Sequence, residues 1–204
     1  MNPLEKLVSQ IATLLEKQRQ SWALVGGLAV SVRSEPRFTR DLDIAVTVAD
    51  DSSAEHLVHS LCASGFRAVA TVEQEATHRL STVRLVPLTA GTQALMLDIL
   101  FASSGIEAEI CAEAERLHVF QRCLIPVARM HHLIALKALA RDDRTRPQDA
   151  VDLRHLISVA DEADLLAACD AARLIETRGF NRSRNLVAAV MHAWQEFRAI
   201  PSRS

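Results

Sequence analysis

The chain has 204 residues, 49% of them hydrophobic and 24% charged, with a formal charge of −2. That length suffices for one domain or two small ones with a real core, and the near-neutral charge excludes sequence-independent nucleic-acid binding over the whole surface while leaving room for a local basic patch. No uninterrupted apolar run is long enough to span a bilayer, and four scattered cysteines, Cys62, Cys111, Cys123 and Cys169, contain no C-x-x-C pair. Neither a membrane, a disulfide framework nor a cysteine zinc site is therefore expected, and the absence of a signal-peptide pattern makes the cytoplasm the expected location.

Taken in order, Pro3 to Gln20 repeats Leu4, Leu7, Val8, Ile11, Leu14 and Leu15 at helical spacing, an amphipathic helix with no evident chemistry. A short apolar strand, Trp22 to Val25, runs into Gly26-Gly27, and a helix follows through Val32; Pro36 then opens a loop into the strand Leu42 to Val48. Ser53 is the expected cap of a helix reaching about Ala63, which Gly65 stops. Phe66 to Val72 and Leu80 to Val86 read as strands, with His78 a solvated residue of the connection and Pro87 closing the second. The run Ala94 to Phe101 is a buried strand interrupted by one charge, Asp98. A short acidic helix begins near Ile106, a hairpin pairs Leu117 to Phe120 with Cys123 to Ile125, and Pro126 closes this part.

Beyond Pro126 the periods are helical throughout: Ala128 to Arg141, a charged turn from Asp142 to Arg146, then Gln148 to Val159, Glu162 to Thr177 and Arg182 to Ile200, with a disordered tail from Pro201. The expected architecture is α/β (α+β), a mixed sheet with flanking helices over 1–126 and a helical bundle over 127–204 packed against it. His131-His132 has the look of a metal pair, but adjacent helical positions project about a hundred degrees apart, so one is assigned to the core or an interface and the other to the exposed surface.

Asp41 and Asp43 are the residues with chemical potential. Strand side chains alternate faces, so both project from one side with Leu42 on the other. Two close carboxylates repel unless a cation sits between them. Oxygen donors without nearby Cys or His select Mg2+ or Mn2+. Gly26 and Gly27 let the backbone approach an anion at a helix start. A lone carboxylate in a strand as apolar as that of Asp98 is costly unless it binds metal or pairs with an arginine.

This ordered set, a Gly-Gly turn, Thr39-Arg40 ahead of an Asp41-x-Asp43 pair and the later Asp98, resembles the polymerase-beta-like nucleotidyltransferase superfold. Downstream, Lys137-x-x-x-Arg141 followed by R-x-x-Asp149-x-x-Asp152-Leu resembles the helical motif of the AbiEii-type nucleotidyltransferase toxins of type IV toxin–antitoxin systems. The resemblance implies metal-dependent transfer of a nucleoside monophosphate from an NTP, with Asp41, Asp43 and Asp98 holding metal and Asp98 doubling as general base. Gly26, Gly27, Lys137 and Arg141 would serve the phosphates and Asp149 would be the last acid. Asp152 is expected on the helix surface or as a partner of an arginine. Where many relatives carry a hydroxyl after the glycines this chain has Leu28-Ala29-Val30, leaving Ser31 as the nearest candidate.

The implied acceptor is RNA, for instance a tRNA end, guided by Arg33, Arg37, Arg40, Arg141, Arg144 and Arg146, with a cognate antitoxin protein as partner. The alternatives are a small-molecule transferase of antibiotic-modifying type and a degenerate nucleotide-binding module.

Overall fold

The computed structural model describes residues 2–73, 79–88, 95–142, 145 and 147–198. His78, Ala94, Arg144, Arg146 and the tail from Pro201 lie outside them. Among the described residues the chain forms seven strands and eight helices, and none of the helices is long and apolar enough to cross a membrane.

Helix α1, Pro3–Lys17, starts where expected because Asn2 and Glu5 form a reciprocal capping box with Pro3 in the first turn, and it buries Leu7, Val8, Ile11 and Leu15. Strand β1, Trp22–Val25, is buried along its whole length, and α2, Gly26–Arg33, follows with no intervening loop. Strand β2, Asp41–Val46, alternates as its sequence requires, with Leu42 and Ile44 wholly inside and Asp41 and Asp43 half-buried on the other side.

Helix α3 spans Asp51–Ala63, and its cap is Asp50 rather than Ser53: the Asp50 carboxylate accepts the Ser53 N–H at 2.8 Å. An extended aspartate three residues earlier takes the role because Ser53 already sits at the third helical position.

Strands β3, Phe66–Glu73, and β4, Leu80–Pro87, form a hairpin; β5 is Met96–Leu100, shorter than the apolar run that carries it. Helix α4, Glu107–Glu113, leads to the hairpin of β6, Glu115–Phe120, and β7, Cys123–Val127. Pro126 lies inside β7 instead of ending it. A residue without an N–H is tolerated there because the ladder to β1 has a single register pair, Leu24 with Val127.

The sheet runs β3-β4-β5-β2-β1-β7-β6, with β2 parallel to β5, β1 parallel to β7 and the other neighbours antiparallel. Its central strands are thus β5, β2 and β1, the three that carry the Gly-Gly turn and the acids.

Helices α5, Met130–Ala140, α6, Pro147–Val159, α7, Glu162–Thr177, and α8, Leu186–Arg198, follow. Helix α8 begins four residues later than its hydrophobic period suggests. Arg182 and Ser183 hold positive φ (53° and 58°), which no helix continues, and the Asn185 side chain instead accepts the Ala188 N–H. One continuous hydrophobic core joins sheet and bundle, from Ile11 and Leu24 through Leu133 and Ile134 to Leu156 and Val190.

Candidate active site

Sheet register builds the site. Val25 pairs with Asp43, Asp43 with Asp98, and Asp98 with Arg84, so four neighbouring strands present one row of side chains on one face. Two of the three acids expected from the sequence are therefore direct cross-strand neighbours, and Asp41 lies one pleat along β2.

Gly26 closes one end of the row. Its φ is +66°, and a Cβ there would stand 1.9 Å from Asp43 Oδ2, so no other residue fits. The next N–H, that of Gly27, donates to the Asp43 carboxylate.

Asp43 pays for its position: burial first, then the neighbouring Asp98 and Asp41, push its pKa up to about 6 from 3.8, against the opposing pull of Lys137 and the Gly27 N–H. Asp98 is held by Arg84, whose Nε and Nη2 donate to Oδ1 and Oδ2 at 2.8 and 2.6 Å. The ion pair with an arginine, one of the two sequence-derived readings of Asp98, is thus present, and in register the residue lies beside Asp43. The guanidinium is itself raised in pKa by that pairing.

Oxygen donors are thus concentrated on a face that carries three carboxylates against one arginine. Asp41 Oδ1 is buried with no hydrogen-bond partner, an arrangement that costs free energy unless a cation completes it. The donor set and that orphaned oxygen fit a hard divalent cation.

The row opens into a cleft of about 290 Å³ whose far wall is the bundle: Leu133, Leu136 and Lys137 of α5, Asp149 of α6 and Arg182. Lys137 Nζ lies 2.7 Å from Asp149 Oδ1 and 2.8 Å from Asp152 Oδ2. Asp152 is not on the helix surface: it is fully buried and accepts Nε and Nη2 of Arg37 at 2.6 and 2.8 Å, with a further 3.1 Å bond from Gln148. Burial opposes its charge, yet Arg37 and Lys137 hold its pKa below the ordinary value.

Other expected residues have other company. Ser31 Oγ lies 3.1 Å from the Gly27 carbonyl and accepts the Arg37 N–H, tying the loop to α2. Thr39 Oγ1 donates to the Asp41 carbonyl at 3.3 Å. Arg40 is exposed, 5.5 Å over the ring of Phe38. Arg141, although one turn from Lys137 in sequence, pairs with Glu196 of α8 at 3.3 Å. Arg33 is anchored to Glu115 and to the carbonyls of Val127 and Ala128, and with Arg37 serves the fold rather than a guiding patch.

Sequence reasoning missed Arg84 and Arg182, and it placed Arg37 among guiding arginines rather than on Asp152. For Arg84 a signal existed, a single charge in the alternating strand LSTVRLV ahead of the Asp98 strand; for the other two only the packing of distant elements supplies one.

A mixed sheet with this carboxylate row, a glycine turn against it and a helical wall defines the nucleotidyltransferase fold. Among solved structures the chain resembles an antigenic nucleotidyltransferase-like protein from Paracoccidioides brasiliensis, with a TM-score of 0.57 at 17% identity over 92% of each chain. It also resembles ANT(2″)-Ia in complex with adenylyl-2″-tobramycin, with a TM-score of 0.50 at 16% identity over 95% of this chain and 99% of that one. No curated protein matches the sequence. The family model of the nucleotidyl transferase AbiEii toxin, type IV toxin–antitoxin system, matches residues 12–200. The chain belongs to that family and is a nucleotidyl-transferring enzyme.

Proposed function

We propose that the enzyme moves a nucleoside monophosphate from an NTP to an RNA acceptor such as a tRNA end, as the toxin of a type IV pair whose cognate antitoxin restrains it. The observation that carries this reading is the row Asp41, Asp43 and Asp98 set against Gly26. Mg2+ or Mn2+ held by Asp41 and Asp43, with Asp98 beside them, would neutralise the triphosphate and polarise its α-phosphate.

The chain's own residues do the rest. Asp98, steered by Arg84, takes the proton from the acceptor hydroxyl as its oxygen bonds to the α-phosphorus. The bond from the α-phosphorus to the bridging oxygen breaks, and pyrophosphate leaves with that electron pair. Lys137 and Arg182, on the far wall of the cleft, face the leaving charge. Gly26 keeps the turn close enough for a phosphate to reach the backbone. Asp149 positions Lys137 through their 2.7 Å contact.

RNA is favoured over a small molecule by Phe38, 80% exposed beside Arg40 in the loop that feeds β2. It borders a separate hollow of about 580 Å³ lined by Leu4, Leu28 and Phe120, an aromatic-and-cation platform on which an unpaired base can stack.

The test is transfer from each labelled NTP to total RNA or to a panel of aminoglycoside and lincosamide acceptors. Label on RNA that falls at least about 10³-fold in Asp41→Asn/Asp43→Asn, with an unchanged circular-dichroism spectrum, is the expected result. Label confined to small molecules would reassign the acceptor, and full activity in the double variant would refute the site.

A further inference from the structure

A second group of ligating side chains stands apart from the cleft and shares no lining residue with it. Between α4, α5 and α7 lies a cavity of about 280 Å³ bordered by Glu109, Glu113, His131, His132 and Asp170. One ligand atom from each of Glu113, His131 and His132 lies within 4.8 Å of the others. The expectation that adjacent histidines diverge, one core and one exposed, does not hold. His132 is buried, His131 keeps only 14% of its side chain exposed, and their rings are 4.1 Å apart and tilted by 51°. Rotamer choice in the first helical turn turns both rings toward α4, where the backbone alone would splay them.

We propose that Glu113, His131 and His132 bind a divalent transition-metal ion of the zinc class, cross-linking α4 of the sheet part to α5 of the bundle. His131 Nε2 and Glu113 Oε2 are 3.4 Å apart, matching the edge of about 3.4 Å that a tetrahedral zinc with bonds near 2.1 Å requires. His132 Nδ1 is buried without a hydrogen-bond partner in a residue only 3% exposed, a nitrogen whose desolvation nothing among the described residues offsets.

Glu113 supplies the anion, and Arg129 fixes its segment by donating to the Glu113 carbonyl at 2.9 Å. Two imidazoles and one carboxylate suit zinc or cobalt better than magnesium, and the fourth position is left for water.

Cobalt titration of untagged protein tests this in the Asp41→Asn/Asp43→Asn background, where the carboxylate row cannot compete. One equivalent of Co2+ with the intense visible bands of a four-coordinate nitrogen site, displaced by Zn2+, is expected. Zn2+ at roughly 100 times its Kd should raise Tm by about 5–10 °C. Glu113→Gln, at a half-exposed side chain that the fold does not need, should weaken binding at least about tenfold, as should His132→Asn. Unchanged affinity in both variants, absence of the cobalt bands, or binding that disappears with the Asp41→Asn/Asp43→Asn background would overturn the proposal. Those outcomes leave the nucleotidyl-transfer reading intact, which stands on the other site.

Discussion

The chain contains two clusters of buried charge built from the same residue types, and they are balanced in opposite ways. Between the loop after α2 and helices α5 and α6, Asp149 and Asp152 meet Lys137 and Arg37, two acids with two cations, at distances of 2.6 to 2.8 Å. On the sheet, among the described residues, the three acids Asp41, Asp43 and Asp98 share one direct ion pair, that of Asp98 with Arg84, with Lys137 exerting a longer-range pull on Asp43. The first cluster is balanced in formal charge as the chain folds and holds the bundle against the loop. The second leaves Asp43 with a raised pKa and Asp41 with an orphaned oxygen. A protein keeps such an imbalance where a ligand restores it, so the unbalanced cluster marks the place for a cation, while the balanced one ties the bundle to the loop and sets Lys137 on the cleft wall.

Removing one partner from the balanced cluster should have the largest effect on the fold. Asp152→Ala strands Arg37 and Lys137 without their shared acid and should cost about 3–5 kcal/mol, seen as a fall in Tm of roughly 10 °C in thermal denaturation. A loss below about 1 kcal/mol would mean that the cluster is no scaffold.

The opposite sign is expected on the sheet. Folded Asp43 binds its proton more tightly than the unfolded chain does, so stability falls as pH rises from 3.8 through about 6, and the cost is complete above that, on the order of 3 kcal/mol. In the metal-free protein Asp43→Asn should therefore be stabilising by up to about 3 kcal/mol at pH 8 and by only about 1 kcal/mol at pH 4.5. Urea titrations at the two pH values measure the difference, and equal effects at both would show that Asp43 carries no raised pKa. By the same linkage Mn2+ affinity should drop by up to about tenfold per pH unit below pH 6, since the ion must displace that proton.

Arg84→Gln removes the group that orients Asp98 while keeping a donor. A fall in kcat of about 10- to 100-fold with an unchanged circular-dichroism spectrum is expected. An unchanged kcat would assign Arg84 to the fold alone.

The smallest effect belongs to the exposed platform. Phe38→Ala should raise the KM for RNA by about 5- to 50-fold, one lost base stack, and leave the KM for NTP unchanged; an equal change in both would place Phe38 at the nucleotide instead.

Much of this was legible in one dimension. Period-2 alternation placed Asp41 and Asp43 on one face, the glycine pair marked the turn that has to approach them, and a single charge in an apolar strand singled out Asp98. The boundaries of α7, Glu162–Thr177, agree with its sequence pattern residue for residue because Asp161 and Asp164 form a capping box read locally.

What the sequence by itself determined, then, is which segments are helices and strands and which acids share a face, because those follow from interactions within a few residues. Only the tertiary structure decided which charge neutralises which. Arg37 and Asp152 are 115 positions apart, Arg84 reaches Asp98 through antiparallel register, and Lys137 turns to α6 while Arg141 turns to α8. Glu113 meets His131 across the junction of sheet and bundle. Such partnerships depend on strand register and helix packing, which set distances between residues that no local period connects.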